Sequence, residues 1–156
     1  MKKIIFTFVI LVFVSCKNEK DNTIYGSSLI TGRQHIYKLH LEKKDVVYNY
    51  HYKHQKDTSG SLLFRYNDKK QELNLGTRNF FKTQKTFKYN SLTFDFYQMS
   101  KSNTGGAIIV FNKEYGVLAT MTFAAHFVFL DKQLSLEKNQ KLFDKISADV
   151  LNKPKK

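Results

Sequence analysis

The sequence predicts an α+β fold, mainly antiparallel β-sheet built from serial hairpins, with one C-terminal helix packed on it. Three observations carry this prediction. Short segments between residues 36 and 130 alternate apolar and polar side chains, as strands with one buried face do. Clusters of Asn, Asp, Lys, Ser and Gly punctuate them at hairpin spacing. From Ser135 the apolar period changes from two to that of a helix.

Taken in order, residues 36–41 (IYKLHL) put Tyr37, Leu39 and Leu41 on one face. Residues 46–53 (VVYNYHYK) put Tyr48, Tyr50 and Tyr52 on one face and Asn49, His51 and Lys53 on the other. KDTSG at 56–60 turns the chain into residues 62–66, and NDKK at 67–70 turns it again into 72–75. Gly76 interrupts the pattern. Alternation resumes at Phe87 and Tyr89 and continues through Leu92, Phe94 and Phe96, which sets Asp95 on the opposite, solvent side. SKSNTGG at 100–106 reads as a loop. Residues 107–111 form an almost wholly apolar strand of the kind buried on both faces. NKEYG at 112–116 is the strongest hairpin signal, because Gly116 adopts positive φ without steric cost. Residues 117–123 and 126–130 supply further strands. Leu136, Phe143, Ile146 and Val150, with Leu142 beside them, form one helical stripe. Ser135 is placed to cap this helix, Glu137 suits its first turn, and Asn152-Lys153-Pro154 ends it. The stripe needs a partner, and the sheet is the available one. The alternative architecture is a closed barrel. Many serial hairpins followed by a helix resemble the lipocalins and their relatives, although this chain has no Trp and so lacks a Gly-X-Trp fingerprint.

The N-terminus, MKKIIFTFVILVFVSC, has a positive pair and then eleven residues, 4–14, interrupted only by Thr7. As a helix these would span about 16 Å, half of a roughly 30 Å bilayer core. The charge, length and small Ser15 match a secretory signal peptide over residues 1–15. Phe13-Val14-Ser15-Cys16 resembles the lipobox of bacterial lipoproteins, with Phe13 where Leu is usual. That resemblance implies cleavage before Cys16, acylation of its thiol and amine, and a lasting membrane anchor, since two or more chains hold where one does not. Residues 16–30 then read as the lipidated cysteine and a flexible tether beginning KNEKDN, and residues 31–156 as one β-rich domain. Lys17, rather than Asp, after the cysteine implies an outer-membrane destination within the cell envelope. Glu19 and Asp21 loosely resemble the acidic export signal of surface lipoproteins in Bacteroidota.

The net charge is +13, and +11 without Lys2 and Lys3. A basic surface attracts anionic headgroups, envelope glycans or another envelope protein. Only three of the 26 basic residues are Arg, the residue that reads nucleic acid bidentately, which argues against a nucleic-acid partner. Chemistry-bearing motifs are sparse. His51 and His54 in HYKH would share a helix face but not a strand face, His35 and His40 are no better spaced, and the sole cysteine is the lipidation candidate, so neither a metal nor another cofactor is expected. His126 has no G-x-S-x-G nucleophile to serve, and Asp95 and Glu114 are carboxylates of unknown separation. The tyrosine row Tyr48, Tyr50, Tyr52, with Lys53 beside it, is the one ligand-binding candidate. Exposed, it would stack on a sugar or a partner; buried, it would be core. The expectation is therefore a lipid-anchored, non-catalytic binding module, with a small ligand-carrying barrel or hydrolase as the alternative.

Overall fold

The computed structural model describes residues 22–99, 106–122 and 125–151. Cys16, the leader before it and the Asn152-Lys153-Pro154 stop lie outside those residues. The strands are β1 (Thr23–Ser28), β2 (Gln34–Lys44), β3 (Val47–His54), β4 (Leu62–Asn67), β5 (Glu72–Leu75), β6 (Arg78–Tyr89), β7 (Leu92–Met99), β8 (Ile108–Asn112), β9 (Gly116–Met121) and β10 (His126–Leu130). One helix follows, α1 (Leu136–Leu151). Every strand pairs antiparallel with its chain neighbour, and β1 also pairs with β10, so the sheet closes into a ten-stranded barrel.

Closure corrects the expected open sheet in favour of the barrel alternative. In a meander of ten strands the first and last run in opposite directions, so their free edges can form an antiparallel ladder. They do so with Tyr25 opposite Leu130 and Ser28 opposite Phe127. The strand that closes the ring falls inside residues 16–30, which the sequence reading gives to the tether. Its composition reads as linker-like in part because one position in it must be glycine. A Cβ on Gly26 would lie 2.7 Å from the Tyr37 ring, so only glycine lets that ring pack against β1.

The barrel wall separates two apolar clusters. Inside lie Tyr50, Tyr52, Phe64, Leu73, Phe80 and Phe111 with their neighbours. Outside, across β6–β10, lie Phe94, Phe96, Val110, Leu118 and Val128, covered by Leu142, Phe143 and Ile146 of α1. Strands β7–β10 are thus buried on both faces, which is why 107–111 reads as almost wholly apolar. β2–β5 face water on their outer side and keep the alternation. Asp95 shows the consequence. It pairs in register with Phe111 of the interior and so faces inward, while Phe94 and Phe96 face the helix, the reverse of the expected orientation.

α1 begins as the sequence predicts. Ser135 Oγ accepts from the N–H of Lys138, and Glu137 pairs with Lys141 one turn on at 2.6 Å. Its buried stripe includes Asn139 as well as the expected Leu142, Phe143 and Ile146, whereas Leu136 is exposed. Asn139 Nδ2 donates to Ser27 Oγ on the outer face of β1 at 2.8 Å, and Lys85 Nζ donates to the Val150 carbonyl near the other helix end. These two bonds fix where the helix lies along the wall.

The two ends of the barrel differ. At one end tight turns join β2 to β3, β6 to β7 and β8 to β9, with positive φ at Asp45, Asn90, Ser91 and Gly116. Asn112 Oδ1 accepts from the N–H groups of Glu114 and Tyr115, which shapes the last of these turns. A polar plug fills this end. Tyr50 donates to the Lys113 carbonyl, Lys113 pairs with Asp68 at 2.7 Å, and Lys82 pairs with Asp95 at 2.8 Å. The hydrogen bond from Lys113 holds the Asp68 carboxyl below its ordinary pKa.

Candidate functional site

Among the described residues the opposite end is mainly apolar. The β1–β2, β3–β4, β5–β6, β7–β8 and β9–β10 connections all emerge there. Between them lies a cavity of about 330 Å³, at the lower end of the range for small-molecule sites. Its wall is mainly carbon, from Leu62, Phe64, Phe80, Ile109, Phe127 and Phe129. Each points inward by strand parity. Phe64 stands opposite Leu75, and Phe127 opposite Thr120. The side chains with polar groups among the described lining residues are few: His35 and Tyr37 from β2, Arg78 from β6, and Thr120 and Thr122 from the β9 side. Among the described residues no acidic side chain lines it.

His35 and His54 meet at this mouth, 19 residues apart in sequence, with Nδ1 of His35 3.1 Å from Nε2 of His54. The tautomers follow from the neighbours. His54 Nδ1 accepts from the N–H groups of Asp57 at 2.9 Å and Lys56 at 3.2 Å, so its own proton sits on Nε2. That Nε2–H donates to His35 Nδ1, which puts the His35 proton on Nε2. The turn N–H groups of Lys56 and Asp57 thus leave His35, through His54, with a donor at Nε2. Protonating His35 would bring two N–H groups together. Burial, then His54, then Arg33 hold its pKa below 6.5.

The direction of that shift gives a stability prediction. Between the lowered folded pKa and 6.5, the unfolded chain binds more protons at His35 than the folded chain does. Its contribution is therefore intact above about pH 6.5 and declines as the pH falls below it. Urea midpoints measured from pH 7.5 to 5.5 should fall on acidification, and His35→Gln should flatten that part of the curve.

The other candidates do not converge here. Tyr50 and Tyr52 are each 1% exposed and belong to the packed interior below the cavity, with Tyr48 half-buried at the plugged end. None of the three lines the cavity. Tyr52 Oη accepts from the buried Val117 N–H at 2.8 Å, and burial raises its pKa and that of Tyr50 well above the ordinary phenol value. Lys53 stands opposite Lys38 on the exposed outer wall. His126 stacks on Phe143 beneath the helix, centroids 4.9 Å apart, on the outer face, whereas Asp95 points inward and Glu114 sits in the β8–β9 turn. These three groups do not assemble a hydrolytic site. Among the described residues no three His, Asp or Glu side chains converge on one point, and no helix is long and apolar enough to cross a membrane.

The cavity residues carry weak sequence signals. His35 has the parity of Tyr37 and Leu39, and Arg78 that of Phe80, but Gly76 obscures where that strand begins. Comparison with protein-family models, curated proteins and solved structures finds no match.

Proposed function

We propose that this chain is a lipid-anchored protein of the bacterial cell envelope whose barrel holds a small apolar ligand. The observation that carries the ligand half is the 330 Å³ apolar cavity at the mouth of a barrel whose other end is plugged. A small barrel with side chains filling one half and space in the other is a container rather than a channel. The few polar groups suit orientation of a ligand rather than its conversion. The anchor half rests on the leader and Cys16, and the basic surface suits a setting of anionic headgroups or glycans at the outer membrane.

Binding is tested with the full chain in phospholipid nanodiscs and the apolar fluorophore N-phenyl-1-naphthylamine. Saturable fluorescence in excess of empty nanodiscs is expected. Ala107 lines the cavity, so Ala107→Phe should reduce that excess at least tenfold while the folded chain keeps its near-ultraviolet circular dichroism. A wild-type protein with no saturable excess would contradict the reading. Anchoring is tested separately by incorporation of labelled fatty acid in cells. Wild type should take up label and Cys16→Ala should not; equal labelling of both removes the anchor.

A further inference from the structure

We propose that the mouth cavity takes a medium-length single-chain amphiphile, its tail on the aromatic wall and its anionic head at Arg78. This rests on the cavity reading above and names the ligand class.

Size sets the length. A cavity of about 330 Å³ holds about eleven groups at roughly 30 Å³ each, the share of one water in the liquid. That accommodates a chain of about ten carbons with its head at the rim. At that share a two-chain phospholipid, with about thirty chain carbons, does not fit within it.

Wall chemistry sets the orientation. Arg78 stands directly opposite Leu75 and two residues before Phe80, both of which line the same cavity, so strand parity turns it inward. It is exposed to solvent at the rim, and no carboxylate pairs with it among the described residues. Among the described residues that line the cavity, Arg78 is the one Lys or Arg, although the chain has 23 Lys and three Arg. A guanidinium is weakly hydrated and presents a planar fork of donors that fits carboxylate and phosphate oxygens, so it can hold an anionic head beside apolar surface where an ammonium would stay hydrated. His35 Nε2–H, on β2, offers a second donor. β2 and β6 lie four strands apart in a ring of ten, so the two donors approach the mouth from facing sides. None of the described lining residues is acidic, so none of them would repel an anionic head or attract a cationic one.

The test is equilibrium dialysis of decanoate, decyl phosphate and 1-decanol against the full chain in phospholipid nanodiscs, counting binding in excess of empty nanodiscs at equal free ligand. Carboxylate and phosphate heads share the chemistry, and the two anionic arms show which is preferred. At least one anion should bind tenfold or more tightly than decanol. Arg78→Met, which keeps the apolar stem, should bring that anion to the affinity of decanol and leave decanol unchanged. Lys53→Gln, on the outer wall, should alter neither, which separates Arg78 from the general positive charge. From hexanoate to decanoate affinity should rise about fourfold per methylene and then level off. Decanol binding as tightly as both anions, or an anion preference that survives Arg78→Met, overturns the proposal. So does binding of N-phenyl-1-naphthylamine without binding of any ten-carbon compound. If the fluorophore and all three compounds fail together, the cavity reading itself has failed.

Discussion

Gly116→Ala should lower stability by about 2–6 kcal/mol, and the same substitution should cost less when made in a Tyr52→Phe background. Two causes add at this position. Gly116 has φ +96°, where a side chain is strained by about 1–3 kcal/mol. The new Cβ would also sit 2.5 Å from the Tyr52 hydroxyl, and overpacking of that kind costs about 1–3 kcal/mol. The ring cannot simply retreat, because its oxygen accepts from the buried Val117 N–H. Tyr52→Phe alone leaves that N–H unpaired, at about 1–3 kcal/mol. In the Tyr52→Phe background the alanine meets Tyr50 Cδ1 at 3.4 Å and the ring carbon of residue 52 at 3.7 Å, so the backbone strain remains and the 2.5 Å clash does not. Urea unfolding of the four proteins should therefore show a coupling of about 1–2 kcal/mol. Additive losses would place Tyr52 away from the β8–β9 turn.

Phe143→Ala should destabilise the whole barrel by about 3–5 kcal/mol, rather than free the helix alone. Phe143 is buried against the outer wall and stacks on His126. Beneath α1 the outer faces of β7–β10 present Phe94, Phe96, Val110, Leu118 and Val128, none more than 2% exposed. An uncovered patch of that composition is incompatible with a stable monomeric surface. Helix and wall should therefore open as one cooperative unit. Amide hydrogen exchange should show the most protected amides of α1 and of β8–β10 losing protection together. Loss confined to α1 would show the helix to be an appendage.

Much of this fold is legible in the sequence, and the gaps have physical reasons. The hairpin series, the Gly116 turn and the Ser135-capped helix depend on local chemistry, and all three are present. Closure depends on pairing residues more than a hundred apart, such as Tyr25 with Leu130, and no local pattern encodes it. β1 reads as tether because Gly26 is required by the space beside Tyr37 and Ser27 serves the bond from Asn139, neither of which is a matter of strand propensity. Asp95 reads as solvent-facing because period-two reasoning assumes one buried face, and β7 has two. The tyrosine row draws notice as a regular pattern and turns out to fill the interior. The cavity is assembled from single residues on many strands, His35, Arg78, Ile109, Thr120 and Phe127 among them, whose only shared signal is inward parity.

The most direct test of the barrel as a container is where an apolar molecule attaches. The full chain in nanodiscs would be irradiated with an alkyl diazirine probe and mapped by peptide mass spectrometry, with N-phenyl-1-naphthylamine as competitor. Label that the competitor displaces should fall on inward residues of β6, β8 and β10, at Phe80, Ile109 and Phe127. Competed label on the outer wall at Lys53 or along the exposed side of α1, or no competed label anywhere, would contradict it.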